Sequence, residues 1–129
     1  MQVFHRKEAN LQAATSPVFT GEVQRAGLAD NSLAKRVTLG LVKFSPGGRT
    51  VWHSHSFEQG LVIVEGKGIV ATEEHEHVVE PGDFVIVPQG EKHWHGGTET
   101  TGMAHISIGQ PGGQTQAGDP VTEIRTKNP

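Results

Sequence analysis

Turn-forming residues interrupt this chain so often that neither a long helix nor a long strand fits between them. Seventeen glycines and seven prolines are spread over 129 residues, and the segments they separate are short and rich in valine, isoleucine and threonine. Four interruptions, "SPGG" (45–48), "EGKG" (65–68), "EPGD" (80–83) and "PQGE" (88–91), each hold a glycine able to take the positive φ of a tight turn. Short β-branched runs at such spacing predict an all-β sandwich or barrel with little helix. Eight strands are expected, over 37–44, 50–55, 60–65, 68–72, 77–80, 83–87, 92–95 and 103–108. Residues 28–35 suit a short helical turn or a loop. The polar, glycine-rich 110–120 reads as a linker or mobile tail, and "VTEIRT" (121–126) regains the alternation of a strand.

A chain of this length is most simply one domain, with a barrel over 1–109 that carries an N-terminal arm and a tail over 110–129. Net charge is -3 without a basic cluster, so nothing marks a nucleic-acid or membrane surface, and a small-molecule partner is expected. The longest apolar run, 61–64, is far short of a span, and the first dozen residues lack the apolar stretch of a signal peptide, so a cytoplasmic location is expected. With no cysteine, disulfides and thiolate sites are excluded, and a bound metal would take nitrogen and oxygen ligands.

The histidines are the chemical anomaly. A buried imidazole brings two nitrogens that need partners, yet "VWHSHSFEQG" (51–60) crowds two of them before an aliphatic run. On a strand, His53 and His55 share a face about 7 Å apart, with Val51 on that face and Trp52 and Ser54 on the other. Gln59 follows across a turn and can return to the same side, its carbonyl oxygen a candidate third ligand. Glu58 competes as oxygen donor but has the opposite facing. His93 opens a second HxH in "EKHWHGG" (91–97), with His95 sharing its parity. On the last expected strand, Met103, His105 and Ser107 share one face. An imidazole on a pocket face with a pKa near neutrality is a candidate general base. His75 and His77 repeat the HxH spacing among glutamates in an expected hairpin loop and are read as solvated. His5 is uninformative.

These residues resemble the two motifs of the cupin superfamily, G-x5-H-x-H-x3,4-E-x6-G and G-x5-P-x-G-x2-H-x3-N. Gly47, His53, His55, Gln59 and Gly66 fall at the spacings of the first, with glutamine in place of glutamate. Gly82, Pro88, Gly90 and His93 fall at those of the second, with Gly97 at the asparagine position. The resemblance implies a double-stranded β-helix, or jelly-roll, barrel holding one divalent transition metal on His53, His55, Gln59 and His93. Manganese is favoured, and iron, cobalt, nickel, copper and zinc also suit these ligand types. Three imidazoles and an amide leave the ion's charge uncompensated, so the site should favour anions.

Within the superfamily, "RTVWHSHSFEQG", "KHWHG" and "MAHISI" look like a group of small bacterial cupins. That group includes manganese-dependent hydroxynitrile lyases and partners of carboxymuconolactone decarboxylase-like domains. The resemblance makes His105 the base that handles a substrate hydroxyl proton and implies a homodimer, while strand parity puts His95, Met103, Ser107 and Val51 on the pocket face. Those lyases carry proline and small residues where this chain has Ser56, Phe57 and Glu58, so a different pocket rim is expected. Lewis-acid lysis or isomerisation of a small oxygenated molecule, a metal-dependent dioxygenase, and a non-catalytic binding module are the three activity classes left open, since fold alone does not choose among them.

Overall fold

The computed structural model describes all 129 residues and contains thirteen strands and one short 3-10 turn, Arg6–Glu8. The strands are β1 (Gln12–Ala13), β2 (Phe19–Thr20), β3 (Val23–Gly27), β4 (Thr38–Phe44), β5 (Arg49–Thr50), β6 (His53–His55), β7 (Gln59–Gly66), β8 (Gly68–Ala71), β9 (Glu76–Val79), β10 (Phe84–Val87), β11 (Trp94–Gly97), β12 (Met103–Gly109) and β13 (Thr115–Ala117). Every ladder is antiparallel. A six-stranded sheet, β1-β3-β4-β12-β7-β10, faces a five-stranded one, β2-β5-β11-β8-β9, and β6 pairs with β13 in a two-stranded ribbon. The result is a jelly-roll barrel.

Alternation along the strands decides what lies between the sheets. Register sets Phe44 opposite Met103, and places Val42 and Ile63 on either side of His105. A shift in the β12–β7 ladder between Ala104 and His105 skips Val64 and keeps Ile63 beside that imidazole. Val23, Val42, Phe44, Leu61, Ile63, Val70, Val79 and Met103 form the main core at one end of the interior. The turn from β7 to β8 is possible only because Gly66 takes φ 74° and lets the Gly102 carbonyl approach where a Cβ would stand.

All eight expected strands are present with small changes of boundary, except that 50–55 is broken. Val51 and Trp52 lie outside any strand, because the chain leaves the five-stranded sheet at Thr50 and enters the ribbon at His53. Residues 28–35 form a loop with a turn at 31–33. The tail differs from expectation. Thr115–Ala117, inside the supposed linker, pairs residue for residue with His53–His55. Residues 121–126 form no strand, yet Ile124 is buried with Ile69, Ala71 and Trp94 on the outer face of the five-stranded sheet.

Candidate metal centre

Two backbone bonds join the histidine motifs. His53 N–H donates to the His93 carbonyl and His93 N–H to the His53 carbonyl, both at 2.9 Å. This isolated bridge carries both side chains into the barrel, where one ring nitrogen each of His53, His55 and His93 falls within 4.8 Å of the others. Gln59, first residue of β7, sits 7% exposed beside them.

Hydrogen bonds at the far side of each ring fix which nitrogen faces the centre. His53 Nδ1 donates to the Val51 carbonyl and His93 Nδ1 to the Glu91 carbonyl, each at 2.9 Å. A carbonyl only accepts, so both Nδ1 atoms carry the proton and both Nε2 atoms present bare lone pairs. His55 Nδ1 lies 2.9 Å from Thr115 Oγ1. The Gln59 amide donates to Ser107 Oγ at 2.9 Å, which turns its Oε1 to within 3.1 Å of His55 Nε2 and 3.2 Å of His93 Nε2. Oxygen and imidazole lone pairs thus face one another with no hydrogen between Gln59 Oε1 and His93 Nε2. A cation resolves that repulsion, and neighbouring ligands at right angles with bonds of about 2.2 Å stand about 3.1 Å apart. The three histidine donors therefore suit one metal ion, with Gln59 Oε1 beside two of them.

Electrostatics agree with ligation. Burial, with His93 and His55 as like neighbours, pushes the His53 pKa down to about 3. Burial also lowers His55 and His93. The rings are neutral near pH 7, as ligands must be. Glu58 is exposed and takes no part in the site, so the donor set has no carboxylate.

The centre opens on a cavity of about 280 Å³. His95, His105 and Ser107 line it as expected from parity, whereas Met103 and Val51 do not. Met103 faces inward but is 2% exposed in the packed end of the barrel, against Phe44 and its neighbours. Val51 is 4% exposed and reaches the site through its carbonyl, not its side chain. Phe57 is also absent from the cavity wall. Its ring packs beside His55, tilted by 32° with 4.9 Å between centroids, and turns toward Gly109 and Gly113, so Phe57 shapes the tail contact, not the pocket. Arg25, Thr50 and Thr115 line the cavity without having been singled out by motif. His75 and His77 are exposed, 6.0 Å apart between ring centroids.

His105 departs from the expectation of a near-neutral pKa. It is fully buried, and burial lowers its pKa to about 3. Its Nε2 lies 3.0 Å from His95 Nδ1, so one proton is shared between the rings. Burial, followed by the neighbouring imidazoles, also holds His95 well below its usual pKa. The outer nitrogens, His95 Nε2 and His105 Nδ1, are buried without a protein partner. Two neutral rings sharing one proton leave one N–H and one bare nitrogen at those outer positions.

Barrel and site together define a small β-barrel protein with a candidate metal centre of three imidazoles and an amide. Residues 40–109 match the cupin domain family, and the chain belongs to it. It is 40% identical over 95 residues to the (R)-mandelonitrile lyase of Granulicella tundricola, a match spanning 70% of this chain and 70% of that one. A crystal structure of a cupin-like protein from Thermotoga maritima superposes with TM-score 0.79 at 31% identity over 86% of both chains. The polyketide cyclase RemF of Streptomyces resistomycificus shares the fold, with TM-score 0.77 at 21% identity over 97% of this chain and 88% of that one.

Proposed function

We propose that this cupin is a metal-dependent enzyme that cleaves or isomerises a small oxygenated molecule, with a hydroxynitrile as the first substrate class to test and manganese as the favoured ion. The observation that carries the reading is the convergence of two bare Nε2 atoms and the Gln59 oxygen with no proton among them. The (R)-mandelonitrile lyase relative supports the lyase direction. Bound there, a divalent ion supplies Lewis acidity to a substrate oxygen.

The protein's own residues supply the rest. His53, His55, Gln59 and His93 add no negative charge, and Arg25 lines the cavity, so an anionic oxygen or a departing anion is favoured inside. His105 and His95 offer a neutral, unpartnered ring nitrogen for a substrate proton. Burial makes an isolated imidazolium costly, so His105 takes that proton most readily when a negative leaving group forms beside it. Ser107 holds the Gln59 amide and so keeps Oε1 turned to the centre.

The test is a turnover screen of the manganese-loaded protein against aromatic cyanohydrins, following aldehyde release, with His105→Ala in parallel. Release by the wild type and a loss of about 10²–10⁴-fold in the variant are expected for a general base. An unchanged rate in His105→Ala removes the role assigned to that residue. Oxygen uptake without aldehyde release contradicts the lyase assignment and favours a dioxygenase.

A further inference from the structure

Two of the three histidines are oriented from within their own motifs, and the third is not. Val51 and Glu91, which accept from His53 and His93, each lie two positions before the ring they hold. His55 has no such carbonyl. Its Nδ1 meets the hydroxyl of Thr115, 60 positions further along the chain. A carbonyl locks one tautomer, whereas a hydroxyl accepts or donates and so tolerates both. The competing tautomer has a waiting partner, because Gln59 Oε1 stands 3.1 Å from His55 Nε2. With its proton on Nε2, His55 is a donor to Gln59 and no ligand. With its proton on Nδ1, it donates to Thr115 and frees the Nε2 lone pair.

We propose that Thr115 is a positioning residue of the metal centre: it accepts the Nδ1–H that His55 presents in its ligating tautomer and so holds the ring in place, and it thereby couples metal binding to the seating of the C-terminal segment. The inference rests on the metal-centre reading above and adds a residue that lies outside both histidine motifs.

The seating is built along the whole ligand strand. The only ladder of β6 is with β13, with Thr115 opposite His55 and Ala117 opposite His53. Beyond the ladder, Ser56 N–H donates to the Gln114 carbonyl at 2.9 Å, Gln114 N–H to Ser56 Oγ at 2.8 Å, and Trp52 N–H to the Asp119 carbonyl at 2.9 Å. On one flank the Phe57 ring lies so close to Gly113 that a Cβ there would overlap it. On the other, Ile124 is buried against Trp94, and the Glu76 carboxylate holds the Arg125 and Thr126 amides. The strand bearing two ligands is therefore positioned by the tail as much as by the barrel.

The experiment strips the full-length protein of metal and titrates it with Mn(II) alone, reading free Mn(II) by electron paramagnetic resonance. Wild type, Thr115→Val, Thr115→Ser and His93→Ala are compared. Losing the outer partner of a ligating histidine costs about 10–100-fold in affinity, and about tenfold is expected for Thr115→Val because water reaches this exposed side chain and replaces part of the bond. Thr115→Ser restores the affinity, and the metal-free Thr115→Val protein melts with the wild type, since valine keeps the shape and strand preference of threonine. Thr115→Val binding as tightly as wild type, while His93→Ala does not bind, overturns the inference and leaves the metal centre standing. Weakening that serine does not rescue, accompanied by a lowered melting temperature, also overturns it. A wild type that takes up no Mn(II) overturns the metal centre and this inference together.

Discussion

Lowering the pH should unfold the metal-free protein well before its carboxylates are protonated, and His105 shows by how much. Its pKa falls from 6.5 to about 3 on burial, and it is 0% exposed. Below pH 6.5 the unfolded chain binds a proton at this ring and the folded one does not, until the pH approaches 3. The stabilisation is therefore complete above pH 6.5 and lost progressively as the pH falls from there toward 3. At pH 4.5, two units below the unfolded value, the loss is roughly 3 kcal/mol for this one ring. His53, shifted to about 3 as well, adds a similar amount, and together they approach the whole stability of a typical domain, about 5–15 kcal/mol. The assay is urea unfolding of the chelator-stripped protein at pH 7, 6, 5 and 4.5 at constant ionic strength, on wild type and His105→Gln. The variant is expected to start less stable at pH 7 but to lose about 3 kcal/mol less across the series. A wild-type stability that stays flat from pH 7 to 4.5, or the same pH dependence in both proteins, refutes the reasoning.

The other perturbations act at the tail and the ligand set. Glu76, its side chain 5% exposed, accepts from Thr126 N–H and Thr126 Oγ1 at 2.6 Å and from Arg125 N–H at 2.9 Å. Burial alone would raise its pKa, and these bonds outweigh that and hold it low. Glu76→Ala should therefore cost about 2–3 kcal/mol in urea unfolding at pH 7, and a loss below the error of the method would contradict the hold of Glu76 on residues 125 and 126. Gln59→Glu puts a carboxylate where Oε1 faces His55 and His93, so Mn(II) should bind at least about tenfold tighter while azide competes less well for the loaded site. Unchanged affinities for both would show that Gln59 is not a ligand.

The candidate ligands are legible in the sequence because their information is local. His53 and His55 are two positions apart on one strand, Gln59 is one turn away, and each motif carries its own turn glycines, so parity and spacing suffice. Parity was also right about Met103, which does face inward, but a barrel interior has a packed end and an open end, and alternation does not say which a residue occupies. Val51 shows the complementary case: the motif strand breaks there, and the backbone carbonyl serves the site while the side chain only packs. Strand β3 went unseen because Val23 is its single strongly apolar, buried position. Strand β13 went unseen because its residues are all exposed and its register with β6 rests on backbone pairing that leaves no apolar alternation to read. Thr115 follows from that. A threonine in a polar, glycine-rich stretch carries no local mark of the histidine it will meet. The depressed pKa of His105 likewise comes from burial that only the closed barrel creates.

The most direct test of the account is metal content. Wild-type protein dialysed against Mn(II) and analysed for bound elements should hold one equivalent per chain, released by chelator, and His93→Ala should hold none while remaining folded. A folded wild type that carries no metal and takes up none, with His53, His55, Gln59 and His93 intact, contradicts the account at its centre.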